Sequence, residues 1–251
     1  MLPLVAVVLS VALFSLGISA APSVERRARA QVVTRCTVPN TVALTFDDGP
    51  YIYLTDIVNT LGAAGVKATF FFNGNNYDCI YDVGPANGVK YAYDHGHQVA
   101  SHTWAHKDLT TLTWDQIHDE MWRVEQALVK ITGAYPAFMR PPYGNYNDLV
   151  LDASGIRGQT VTIWDFDSQD SLGASPQTSK NLYDQIISQR PSTILPLNHE
   201  TIETTAHQVA QYAIQHLKSA GYNLVTLAEC LGQAPYQSVV APGTRDSSWH
   251  C

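Results

Sequence analysis

From residue 42 onward the chain alternates two kinds of hydrophobic pattern. Short runs of β-branched and aromatic residues at 42–45, 68–72, 98–101, 137–139, 160–163, 193–197 and 223–226 predict strands. Between them, apolar residues recur every three or four positions, the period of a helix. The clearest case, 114–131, places Ile117, Met121, Val124, Leu128 and Ile131 on one face, and Thr113 with Gln116 forms a capping box ahead of it. A second helix is predicted over 204–219, with Gly221 as its terminator. Strand and helix in alternation imply an α/β protein with a parallel sheet, either closed into a barrel or left open and doubly wound. In both cases chemistry belongs at the C-terminal ends of the strands.

Composition narrows the class. The 251 residues are 45% hydrophobic and 15% charged, which suits one domain with a full-sized core and excludes disorder as the main state. Lys+Arg 15 against Asp+Glu 22 gives a net charge of -7, a field that repels nucleic acid and favours a neutral or weakly cationic substrate. Residues 2–21 are apolar or small and end in Ile18-Ser19-Ala20-Ala21, so 1–21 reads as a signal peptide and the protein as secreted, extracellular or in the cell wall. Arg26, Arg27 and Arg29 follow this stretch instead of preceding it, which argues against a membrane anchor. Residues 22–35 read as a propeptide or flexible arm, 36–231 as a single domain, and 232–251, rich in Gly, Pro, Ser and Gln, as an irregular tail. A monomer without membrane partner is expected. In an oxidising compartment the four cysteines favour disulfides over metal ligation. Cys36 precedes the first strand candidate and Cys230 follows the last, so a bond between them ties the two ends of the fold together; Cys79 with Cys251 follows by elimination only.

Five strand ends carry ionisable groups. The first leads into Thr45-Phe46-Asp47-Asp48-Gly49-Pro50, whose adjacent carboxylates call for a cation or donor network to stay ionised together. The third leads into Ser101-His102-Thr103-Trp104-Ala105-His106, with two histidines at a spacing that lets both face one ion. Together they offer a three-ligand site with open positions, the pattern of a catalytic metal and not of a closed structural one. The fourth, fifth and sixth lead into Arg140-Pro141-Pro142-Tyr143-Gly144, Trp164-Asp165-Phe166-Asp167-Ser168-Gln169-Asp170 and Leu195-Pro196-Leu197-Asn198-His199.

In this order and at these spacings, TFDDGP, SHTWAH, RPPYG, WDFDSQD and LPLNH resemble the five motifs of the carbohydrate esterase family 4 polysaccharide deacetylases, the NodB-homology domain. The resemblance is greatest to the fungal chitin deacetylases within that family. It implies a single-domain distorted (β/α) barrel with parallel strands. It also implies metal-dependent removal of N-acetyl groups from N-acetylglucosamine units of chitin or chitooligosaccharides, releasing acetate; the alternatives are a xylan O-acetyl esterase, a peptidoglycan N-deacetylase or a catalytically silent carbohydrate-binding protein. Carried over by position, Asp48, His102 and His106 are the metal ligands, zinc or alternatively cobalt, and Asp47 is the catalytic base. Arg140 holds the base, the Tyr143 N–H is an oxyanion donor, His199 is the catalytic acid and Asp170 tunes it. Leu197 lines the acetyl pocket, and Tyr143, Trp104 and Asp167 join the substrate-contacting set. One position departs from the pattern: Ser171 stands where the family has an aromatic after D-x-x-D. The acetyl pocket then lacks that wall unless Trp104, Trp164 or Phe166 supplies it.

Overall fold

The computed structural model describes residues 29–251. The expected signal peptide and the first part of the expected arm lie outside the described residues. Eight strands form the main sheet, in the spatial order Val32–Val33, Thr160–Thr162, Phe138–Met139, Gln98–Ser101, Thr69–Phe72, Thr45–Asp47, Pro196–His199 and Phe166–Asp167. Every pairing in it is parallel. The first and last strands of that order do not pair with each other, so the (β/α) barrel is distorted and open along one seam. Helices Leu54–Ala64, Val83–Asp94, Trp114–Thr132, Asp148–Ile156, Pro176–Ser188 and Ala210–Ser219 follow the strands. The capping box of Thr113 and Gln116 is formed at the start of the longest one.

The strand Thr69–Phe72 shows why the sheet reads as unbroken apolar runs. Successive side chains alternate between faces, and in a parallel sheet covered on both sides both faces are dry. Phe70 and Phe72 pack with Phe46 and the helix residues Ile57 and Leu61, whereas Phe71 packs with Ala43, Ala100, Phe138 and Leu195 inside the barrel. Each ring so buried contributes on the order of 2 kcal/mol. The N-terminal mouth of the barrel is closed by the short helix Leu227–Leu231. Its Leu227 and Ala228 N–H groups donate to Thr69 Oγ1 and Gln98 Oε1, both at 2.9 Å, and its Cys230 is bonded to Cys36. Cys79 is bonded to Cys251.

Three features differ from the sequence expectation. The runs at 42–45 and 193–197 are each broken, their first parts forming a small parallel sheet, Thr193–Ile194, Thr41–Val42 and Asn223–Leu224, and their last parts joining the main one. At the second break the Leu195 N–H is taken by the Asp165 carboxylate at 2.7 Å instead of a neighbouring strand. The helix over 204–219 opens with a wider π-helical stretch, Thr205–Val209. The tail is not wholly irregular, since Tyr236–Val239 pairs antiparallel with Ala134–Pro136.

Candidate active site

The C-terminal ends of the strands converge on a cavity of about 410 Å³. Asp47 closes its strand and Asp48 follows it in the left-handed region at φ 74. Gly49 is required next because a Cβ there would lie 2.0 Å from the buried Glu200 carboxyl, which accepts the Tyr51 N–H at 2.7 Å. Burial pushes that carboxyl well above the ordinary carboxylate range. Thr103, His106, Tyr143 and Gln169 are also left-handed, so five of the seven described non-glycine residues with positive φ stand at this rim. Such backbone strain persists only where the surroundings over-determine it.

Asp48, His102 and His106 offer one ligand atom each within 4.8 Å of one another. The His102 Nδ1–H donates to the Arg140 carbonyl at 2.7 Å, which leaves the Nε2 lone pair turned toward Asp48 Oδ1 at 3.5 Å. His106 Nε2 lies 3.3 Å from the same oxygen. Burial disfavours the Asp48 charge, yet the His102, His199 and His106 imidazoles outweigh it and bring the carboxyl down to about 2. Burial, with the neighbouring His102, brings His106 down to about 4, so at neutral pH the group is a carboxylate with a neutral imidazole. Asp48 Oδ1 is buried without a hydrogen-bond partner. A buried anionic oxygen left bare between two imidazole nitrogens fits a divalent cation, and the hard and borderline donors suit zinc or cobalt.

Beside this trio, Asp47 Oδ1 accepts from Arg140 Nη1 at 2.8 Å. Arg140 is fully buried, donates also to Thr45 Oγ1 at 2.7 Å and to the Ile163 carbonyl at 3.0 Å, and lies over the Phe71 ring. Across the cavity His199 Nδ1–H donates to Asp170 Oδ1 at 2.8 Å, leaving Nε2 free. Asp170 also accepts the His199 N–H at 2.8 Å, the Ser171 N–H at 2.8 Å and the Thr205 hydroxyl at 2.7 Å. Burial works against the charged imidazole, but Asp170, by hydrogen bond and charge, and then Asp47 and Asp48 overcome it and push His199 up to about 9.

Of the residues singled out in the sequence, Asp47, Asp48, His102, His106, Tyr143, Asp167, Leu197 and His199 line the cavity. Arg140 and Asp170 stand behind it, on Asp47 and His199. Trp104 does not line it: the ring is buried against Gly74, where a Cβ would come within 1.9 Å, and Arg123 covers it at 3.9 Å. Phe166 packs on Tyr183 instead. The indole that lines the cavity is Trp164, held close to Gly144, which has φ +70 and no room for a Cβ. Ser171 and Leu172 line the opposite part, with Leu172 74% exposed. Thr205 escaped the sequence reading because nothing local marks it. Two larger depressions, about 630 and 590 Å³, lie on other faces and contain no metal-spaced cluster among the described residues.

Residues 34–161 match the sequence profile described as polysaccharide deacetylase. The chain belongs to the polysaccharide deacetylase family. It is 38% identical over 232 residues to a chitin deacetylase of Pestalotiopsis sp., covering 89% of this chain and 75% of that one. To the chitin deacetylase of Colletotrichum lindemuthianum it is 34% identical over 208 residues, covering 81% and 84%. The solved structure of a chitin deacetylase from that fungus superposes with a TM-score of 0.78, covering 83% of this chain and 94% of that chain at 32% identity. The Bc1960 peptidoglycan N-acetylglucosamine deacetylase superposes at 0.75, with 26% identity and 83% and 96% covered.

Proposed function

We propose that this polysaccharide deacetylase is a secreted, metal-dependent hydrolase that removes N-acetyl groups from N-acetylglucosamine units of chitin or chitooligosaccharides and releases acetate. One observation carries the reading: a clamped carboxylate, a bare metal-spaced trio and an acid-poised histidine share one rim cavity. Asp48, His102 and His106 are the residues we assign to a divalent ion, zinc first. When bound, such a cation supplies Lewis acidity, polarising the amide carbonyl and making water a stronger acid.

The protein's own groups do the rest. Asp47 Oδ2 takes the proton of the attacking water, while Arg140 holds Oδ1 and keeps the carboxylate oriented. The Tyr143 N–H receives the developing oxyanion, a donor role that contributes about 3 kcal/mol in comparable sites. His199, protonated at neutral pH, gives its Nε2 proton to the departing amine, and Asp170 fixes the ring and stabilises its charge. Leu197, Trp164 and Asp167 line the cavity, and we assign the first two to the acetyl methyl and Asp167 to the sugar. Without an aromatic at 171 the pocket is wider beside Leu172.

A peptidoglycan N-deacetylase is the second reading, favoured by the 36% identity to a probable peptidoglycan-N-acetylglucosamine deacetylase of Arthroderma benhamiae, of whose length the chain spans 46%. Acetate release from chitotetraose, peptidoglycan and acetylxylan, measured before and after chelation and zinc return, separates these substrates. We expect zinc-dependent release from chitotetraose, and loss of about a hundredfold or more in turnover with unchanged zinc content for Asp47→Asn. Release from peptidoglycan alone would transfer the assignment to the second reading.

A further inference from the structure

His106 differs from the other two ligands in how its backbone is held. Asp48 follows a strand paired on both sides, and His102 follows Gln98–Ser101, with its carbonyl taken by Asn73 Nδ2 and its ring by the Arg140 carbonyl. The chain then leaves the sheet. Thr103 and Trp104 are still anchored, their carbonyls accepting from Asn73, Gly74 and Asn75. His106 comes next but one, at φ 52, a left-handed conformation that costs any residue with a side chain. Its ring lies beside Asp48, His102 and the exposed Tyr143 ring. Nothing in those contacts holds the backbone in place before an ion arrives.

What holds it comes from outside the motif. Glu120, on the helix Trp114–Thr132, is 2% exposed and reaches up to the loop with both oxygens. Oε2 accepts the Ala105 N–H at 2.8 Å, and Oε1 pairs with Lys107 Nζ at 2.8 Å. One buried carboxylate therefore grips the residues on either side of His106. The grip is charge-assisted on both arms and shielded from water on the carboxylate side, the setting in which such bonds are strongest. The helix that carries Glu120 is itself fixed by the packing of Ile117, Met121 and Val124 into the core.

We propose that Glu120 is a positioning residue that holds His106 in its left-handed, ligand-ready conformation and so sets the affinity of the trio for its metal. The inference rests on the assignment of Asp48, His102 and His106 as ligands. Glu120 touches neither substrate nor ion; it limits the loop conformations that the third ligand samples, which raises the fraction of molecules ready to bind. Partners of this outer kind typically change metal affinity by about 10- to 100-fold.

The test is Zn²⁺ affinity of the full chain, measured by competition with a chromophoric chelator, beside the thermal midpoint of each apo variant. Glu120→Ala is expected to weaken Zn²⁺ binding at least about tenfold. Glu120→Gln keeps an acceptor for Ala105 and guards against a failure to fold; it is expected to recover part of that loss. Lys107→Met cuts one arm at the exposed end and should weaken binding by a smaller factor. Glu125→Gln is the control for mere destabilisation: Glu125 is equally buried, but binds Arg157, Tyr135 and Gln159 away from the site. It should lower the midpoint and leave Zn²⁺ affinity unchanged. Equal Zn²⁺ affinity in wild type, Glu120→Ala and Glu120→Gln overturns the proposal, as does a loss that tracks the midpoint across all four variants. Zn²⁺ binding that survives His102→Ala overturns the ligand assignment itself, a result distinct from either.

Discussion

At the scale of single residues, the proposed acid and base are separated by their surroundings. Asp47 is clamped by an arginine, and His199 is raised to about 9 because Asp170 outweighs its burial. The sign of the consequence follows from the role. An acid must be protonated, so activity persists through neutral pH and falls as pH rises through about 9. Asp170→Asn removes the strongest raising partner and leaves burial opposed only by Asp47 and Asp48, so the alkaline limb should move down toward about 6.5, the ordinary histidine range. At pH about 8 turnover should then fall by up to about thirtyfold and recover as the pH is lowered, read from kcat against pH. An unmoved limb would show that another group sets it. The same raised value adds folding stability that is complete below about 6.5 and lost as pH rises through about 9. The residues of this site were legible because each sits in a short motif at or just after the C-terminal end of a strand. Thr205 and Glu120 were not, since they lie 35 and 15 positions from the atoms they hold and carry no local pattern. Trp104 shows the converse: a motif neighbour of two proposed ligands, it faces Gly74 and Arg123 and not the cavity.

At the scale of elements, the alternation of apolar runs and helical periods revealed the parallel sheet, because both faces of each strand are covered. Missing from that reading were Val32–Val33 and Phe166–Asp167, two-residue strands made by pairing with a neighbour and too short to own a period. The breaks inside 42–45 and 193–197 were equally hidden, since the switch of sheet is made by hydrogen bonds, Asp165 to Leu195 among them, and not by any change in hydrophobicity. Turns at the rim are where sequence and geometry meet most tightly. Gly49→Ala drives a methyl into Glu200, so it should cost about 1–3 kcal/mol and weaken Zn²⁺ binding through the displaced Asp48. Gly62→Ala, on an exposed helical face with nothing within 4 Å, should instead stabilise by up to about 1 kcal/mol. Thermal midpoints of the pair check both signs; a stabilised Gly49→Ala would mean that Glu200 swings aside freely.

At the scale of the whole molecule, chemistry and closure occupy opposite ends. The rim holds the ionisable groups, and the other mouth is shut by Leu227–Leu231 and its bond to Cys36. That bond spans 194 positions, so Cys36→Ala with Cys230→Ala should cost about 2–5 kcal/mol in guanidinium unfolding. Zn²⁺ affinity of the folded variant should be unchanged, and a collapse of affinity would show that the two ends are coupled. The Cys36–Cys230 pairing was legible from its position at the ends of the domain. The strand in the tail was not, because Tyr236–Val239 pairs with a segment a hundred positions earlier at Ala134–Pro136. The sealed mouth also decides how a polymer can be approached. Phe71, Phe138 and Leu195 fill the interior and the Leu227–Leu231 helix lies beneath them, so no passage runs through the barrel along which a chain could be threaded from its tip. A strand of sugar can only be laid sideways across the open rim. Any unit in its length is then as reachable as the last, so deacetylation is expected to begin at internal units of a chain without waiting for a free end.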